Sequence, residues 1–114
     1  MREDVADPAF LYLTTVGRKT GLPRRIEIWF VRSGECFYIL AEHFDRTQWV
    51  KNIRRAPHVR VRVGEEEFEA TARVLDPQRD ADLWQTAQRL AEKKYGWGAG
   101  LPVEIKPILT ATVP

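Results

Sequence analysis

The 114-residue chain has few of the residues that most often build reactive centres. It carries one cysteine, Cys36, which excludes an internal disulfide and a multi-cysteine zinc site and suits a reducing cytoplasm. Its only histidines, His43 and His58, lie far apart in sequence and lack the spacing of a metal pair, so no metal is expected. Ser33 falls in a turn with no triad partner, which leaves nucleophilic hydrolysis unsupported. A Gly-x-Gly-x-x-Gly fingerprint is absent. The run Gly17-Arg18-Lys19-Thr20 is no P-loop either, because that motif has Gly directly before its Lys and a helix behind it. No apolar stretch approaches the ~20 residues of a membrane helix, and the opening Arg-Glu-Asp is unlike a signal peptide. The expectation is a cytoplasmic chain without an integral membrane segment, and no side chain is singled out as catalytic.

Acidic residues are also missing from one long interval. None occurs between Asp7 and Glu27, where Arg18, Lys19, Arg24 and Arg25 crowd together. Gly17 and Gly21 bracket the cationic triplet and Pro23 stiffens the exit. Such a turn reads as a cradle for phosphate or carboxylate: glycine lets the backbone approach a ligand, backbone N–H groups bind anions, and Arg and Lys supply countercharge. The whole chain is only mildly basic, with 18 Lys and Arg against 16 Asp and Glu. That balance, without a recognition motif, argues against a nucleic-acid partner.

The remainder alternates. Phe10 to Val16, Ile26 to Val31, Cys36 to Ala41, Val59 to Val63, Phe68 to Val74 and Val103 to Val113 predict about six strands, antiparallel by their short connections. Two helices interrupt them. One starts at an Asp45/Gln48 capping box and runs through Trp49, Val50 and Ile53 to Pro57. The other opens at Asp76-Pro77, carries Leu83, Ala87, Leu90 and Ala91 as its apolar stripe, and ends at Gly96. One domain of mainly β (α+β) class over 1–114 is expected, a small antiparallel barrel with helical covers. Aromatic residues at 29, 38, 49, 84, 95 and 97 are available to line a cleft for a flat ring. Trp84 reads as core packing, whereas Trp29, next to the basic turn, reads as cleft wall. The start of the first helix offers a second anion position within reach of Arg46.

The run Thr15 to Arg24 resembles the signature turn of the deazaflavin-dependent nitroreductase family, split β-barrel proteins related to the flavin-binding barrel reductases. The resemblance continues through Glu27-Ile28-Trp29-Phe30, Asp45 to Ile53 and Pro57 to Val61. It implies a split antiparallel barrel that binds the deazaflavin coenzyme F420 and passes hydride from the reduced form to a quinone, nitroaromatic or other conjugated acceptor. Carried onto this chain, Arg18, Lys19, Thr20 and Arg24, with Gly21 in the same turn, would hold the phosphate and the start of the polyglutamate tail. Ile28, Trp29, Ala41 and Glu42 would border the ring system, Arg46, Trp49 and Val50 would close the pocket, and the acceptor would lie near Trp29 and Tyr95. Two other readings stay open: the same fold with FMN on its single phosphate, or a non-catalytic flavin- or tetrapyrrole-binding protein. Four cationic residues favour a polyanionic tail. A monomer and a homodimer are both compatible.

Overall fold

A computed structural model of the chain describes residues 8–108. Seven strands appear: β1 (Phe10–Val16), β2 (Pro23–Trp29), β3 (Val31–Ser33), β4 (Cys36–Ala41), β5 (His58–Val63), β6 (Glu66–Val74) and β7 (Leu101–Pro107). Helix α1 (Gln48–Arg55) follows β4, and α2 (Ala81–Tyr95) follows β6. The strands form one sheet in the order β2-β1-β5-β6-β7-β4-β3, every pair antiparallel. β2 and β3 lie at opposite edges of this sheet yet are separated by a single residue, Phe30. One residue cannot bridge two distant edges, so the sheet curls until they meet, giving the split barrel.

The expected strand over 26–31 is therefore two strands broken at Phe30, and β2 starts earlier, at Pro23, on an edge where proline's missing N–H costs no ladder bond. Phe30 is buried, and its backbone leaves the ladder. The end of α2 replaces those bonds: Phe30 N–H donates to the Tyr95 hydroxyl (3.0 Å), while its carbonyl accepts from Tyr95 (2.8 Å) and from Lys94 Nζ (3.0 Å). The final strand ends at Pro107, and the expected stretch from 109 to 113 lies outside the described residues.

Inward residues of β1, β4, β5, β6 and β7, with Val50 and Ile53 of α1, form the main core. β4 is buried on both faces: Phe37, Ile39 and Ala41 look into the barrel, and Tyr38 and Leu40 pack with Ala87 and Ala91 of α2 in a second cluster. Trp84 packs against both clusters, as its place on the helix stripe predicts. Among the described residues no helix is long and apolar enough to cross a membrane.

Both helices begin later than their acidic signals indicate. Asp45 is not an N-cap; it sits in a 3-10 turn, Phe44–Arg46, and its carboxylate accepts from Arg54 (2.7 Å). Thr47 occupies the N-cap of α1 without a side-chain capping bond. Asp76 instead closes its own turn, accepting from the N–H groups of Gln78 and Arg79 at 2.8 and 2.9 Å, and α2 proper starts behind Asp80. Asp80 in turn accepts from the Asp76 N–H and pairs with Arg73. These amide bonds hold both carboxyls below the usual aspartate range, Asp76 through Arg79 and Gln78, Asp80 through the Asp76 N–H and then Arg73. A carboxyl with a depressed folded pKa contributes stability above its unfolded pKa and loses that contribution as pH falls through the folded value. The unfolding temperature is therefore expected to drop on acidification below about pH 4, and the Asp80→Asn variant to show a shallower acid limb in a pH series of melts.

Candidate functional site

The β1–β2 hairpin carries the basic turn. Its loop is closed by Gly17 N–H to the Leu22 carbonyl (2.8 Å) and Gly21 N–H to the Gly17 carbonyl (2.7 Å). Gly21 has φ +75°, a left-handed conformation that a side chain would strain. The Thr20 hydroxyl accepts from Leu22 N–H (3.2 Å), which folds the threonine into the loop. The cross-strand register sets Thr15 opposite Arg24 and Leu13 opposite Ile26, so Arg24 continues the face that carries the barrel's inner residues. Arg25 falls on the other face, over the Tyr12 ring at 4.3 Å.

Between this hairpin and α1 lies a cavity of about 600 Å³. Arg18, Lys19, Arg24 and, despite its strand face, Arg25 contribute to its walls, as do Thr20, Gln48 and Asn52, and no carboxylate does. Lys19 and Arg24 are exposed and make no hydrogen bond or ion pair with another described residue, so their charge faces solvent unneutralised. A second cavity of about 560 Å³ adjoins it, with Trp49 on the wall of both. This one is mostly apolar, bounded by Ile28, Trp29, Leu40 and Trp97, with Glu27, Glu42 and His43 as polar members. A cationic chamber and an aromatic chamber thus share one tryptophan. That arrangement accommodates a long ligand with a polyanionic end and a flat, largely uncharged end.

Not every expected residue reaches these walls. Gly21 is at the apex of the turn, and exposed Arg46 lines neither cavity. Ala41 and Val50 are core residues, 1% and 0% exposed. The family resemblance places Val50 at the pocket, whereas its side chain packs in the barrel core. Tyr95 stacks on Trp29, ring centroids 4.4 Å apart and 3° from parallel, and lines only a narrow crevice behind that tryptophan. Its hydroxyl accepts from Phe30 N–H and has the carbonyls of Ala9 (2.6 Å) and Phe30 to donate to, so its one proton is already engaged. Tyr95 therefore backs Trp29 and is anchored to the backbone of Phe30 and Ala9. Tyr95→Phe is expected to cost about 1–2 kcal/mol in urea unfolding, because Phe30 N–H loses its acceptor, with coenzyme affinity unchanged.

Sequence reasoning missed Asn52, Gln48 and Thr47. Asn52 and Thr15 are the buried polar side chains of the described residues. The available signal was a polar residue on the buried face of α1, next to Ile53 and three positions after Trp49. Thr47 Oγ1, on the wall of the aromatic chamber, is buried without a hydrogen-bond partner among the described residues. A buried hydroxyl left in that state is costly unless a ligand or water meets it.

The family model for F420H(2)-dependent quinone reductase matches residues 4–106. The chain belongs to that family. An F420H(2)-dependent quinone reductase of Mycobacterium tuberculosis is 31% identical over 94 residues, which span 77% of this chain and 62% of the relative. The chain thus covers somewhat less than two thirds of the curated relatives it matches. Among solved structures, an F420-H2 dependent reductase superposes with a TM-score of 0.65 at 23% identity, covering 91% of this chain and 98% of that one. The heme storage protein HutZ of Vibrio cholerae gives 0.67 at 21% identity, covering 90% and 83%. At such identities these two likenesses establish the split-barrel fold, which they share with this family member.

Proposed function

We propose that this family member is an F420H2-dependent oxidoreductase whose acceptor is a quinone. The observation that carries the reading is the junction of two chambers at Trp49: a carboxylate-free basic chamber on one side, an aromatic one on the other. The donor set fits the coenzyme. Arg18, Lys19 and Arg24 match a phosphate followed by glutamyl carboxylates, a run of negative charge for which a lone phosphate would be a poor use of three cations. Thr20, at the rim of the same chamber, adds a hydroxyl. The orphaned Thr47 hydroxyl on the wall of the aromatic chamber offers a further donor or acceptor to a bound ligand.

The bound coenzyme supplies hydride chemistry; the protein supplies orientation and electrostatics. Arg18, Lys19 and Arg24 would hold the anionic tail of the coenzyme. Ile28 and Trp49 flank the ring slot, and Trp29, held by its stack on Tyr95, forms the wall against which a planar acceptor lies. The walls on the acceptor side are mostly apolar. Glu42 and His43 are exposed polar members of the same chamber's wall.

The direct test is anaerobic mixing of protein, F420H2 and a soluble naphthoquinone, following the return of oxidised-coenzyme absorbance. Enzyme-dependent turnover supports the reading. Tight coenzyme binding with no turnover on any quinone would replace it with a carrier role.

A further inference from the structure

Arg18 is held differently from the ion-paired arginines among the described residues. Its guanidinium donates from Nη1 to Asn52 Oδ1 (3.0 Å) and from Nη2 to Gln48 Oε1 (2.8 Å), and its backbone N–H donates to the same Asn52 oxygen (3.2 Å). Two donors converging on one atom fix the amide orientation: that atom is the oxygen, and Nδ2 is turned to donate to Thr15 Oγ1 (3.2 Å). Asn52 and Gln48 are one helical turn apart and present their carbonyl oxygens side by side from α1. By contrast, Arg54 pairs with Asp45, Arg60 with Glu67 and Glu69, and Arg73 with Asp80 and Glu104. Arg18 has no carboxylate partner among the described residues.

We propose that Asn52 and Gln48 are positioning residues that clamp Arg18 through neutral amide oxygens, so that its guanidinium is oriented towards the basic chamber with its full charge left for a polyanionic ligand. An amide oxygen directs a guanidinium nearly as well as a carboxylate does, but adds no negative charge. Aspartate is almost isosteric with asparagine and would satisfy the same donors; the Thr15 hydroxyl would turn its proton to meet it. The choice of amide over acid at a buried position costs the fold the stronger charge-assisted bond. The compensation is that an incoming anion does not compete with a resident one. Because Asn52 also holds the Arg18 backbone and the Thr15 side chain, the clamp ties α1 to the hairpin at the point where the ligand's tail would enter. The inference rests on reading the basic chamber as an anion cradle, and it adds a cause for the cradle's preference for high negative charge.

The test compares the full chain with its Asn52→Asp and Gln48→Glu variants. Two probes are used: F420, titrated by fluorescence at several salt concentrations, and tripolyphosphate, followed by its effect on the unfolding temperature at low salt. Each variant is expected to bind F420 about tenfold more weakly at low salt, with the difference shrinking as salt rises, because what changes is one charge next to Arg18. The unfolding temperature without ligand is expected to hold or rise, and the stabilisation by tripolyphosphate to shrink. A merely structural role would lower the unfolding temperature and weaken binding equally at every salt concentration, and that result overturns the proposal. So does unchanged affinity in both variants, or wild-type protein that ignores tripolyphosphate. If Asn52→Asp does not fold, Gln48→Glu decides alone, since Gln48 is exposed. Wild-type protein that ignores F420 but is stabilised by tripolyphosphate, with both variants losing that response, would remove the coenzyme reading and uphold the clamp.

Discussion

Replacing Lys19 and Arg24 together with alanine is expected to weaken F420 binding by about 2–4 kcal/mol, roughly 30- to 1000-fold, with little change in stability. Both side chains are exposed on the β1–β2 hairpin, and neither bonds another described residue, so the fold loses nothing it uses. Each would make charge-assisted contacts to the coenzyme's phosphate or first carboxylates. Their individual worth is held down by solvent screening, which is why the sum is set below that for two buried contacts. The effect should be largest at low salt, since the Debye length falls from about 30 Å at 0.01 M to about 10 Å at 0.1 M. Calorimetric or fluorescence titration of the double variant checks this. Affinity within twofold of the parent would remove the basic turn from the site.

The second large effect is on folding. Gly98 lies in the short connection between α2 and β7, buried against the helix it has just left. A Cβ at this position would run into the carbonyl oxygen of Gln88, and would also come within 3.1 Å of that residue's carbonyl carbon and 3.2 Å of Glu92 N. All three obstacles are backbone atoms inside a helix, so no rotamer change relieves them. Either α2 shifts off the sheet or the connection moves outward. A shift of α2 would also disturb Tyr95 and Lys94, which hold the Phe30 break between β2 and β3. Gly98→Ala is expected to cost about 2–4 kcal/mol in urea unfolding, a large fraction of a small domain's stability. The same substitution should blunt coenzyme binding, because Trp97 adjoins Gly98 and Trp29 is stacked on Tyr95 at the end of α2. A loss under about 0.5 kcal/mol would show that the connection yields without moving the helix.

Much of this architecture was legible in sequence because it depends on local signals. Alternation in Val59-Arg60-Val61-Arg62-Val63 specifies a strand with one buried face, and β5 shows that pattern of burial. The two glycines around Arg18-Lys19-Thr20 mark a hairpin turn, and Gly96 ends α2 in the left-handed conformation. The basic chamber was legible for the same reason: its cations are close in sequence. What was not legible depends on distant partners. The break at Phe30 needs Tyr95 and Lys94, 65 and 64 positions away, to satisfy the freed backbone groups. The late helix starts arise because the Asp45 carboxylate is drawn to Arg54 and that of Asp76 closes its own turn on the Gln78 and Arg79 N–H groups. Val50 was drawn to the site by its place in a motif, yet one face of α1 must fill the barrel and Val50 is on it. Asn52 was overlooked in turn because its role exists only once α1 has packed against the hairpin.

In the proposed function, the basic chamber and the aromatic chamber together hold one deazaflavin coenzyme. Fluorescence titration of the purified chain against F420, with FMN in parallel at the same salt concentration, tests it most directly. Saturable binding of F420 at micromolar or lower concentration, weakening as salt is raised and at least tenfold tighter than for FMN, is the predicted result. Preference for FMN, or F420 affinity indifferent to salt, would contradict it.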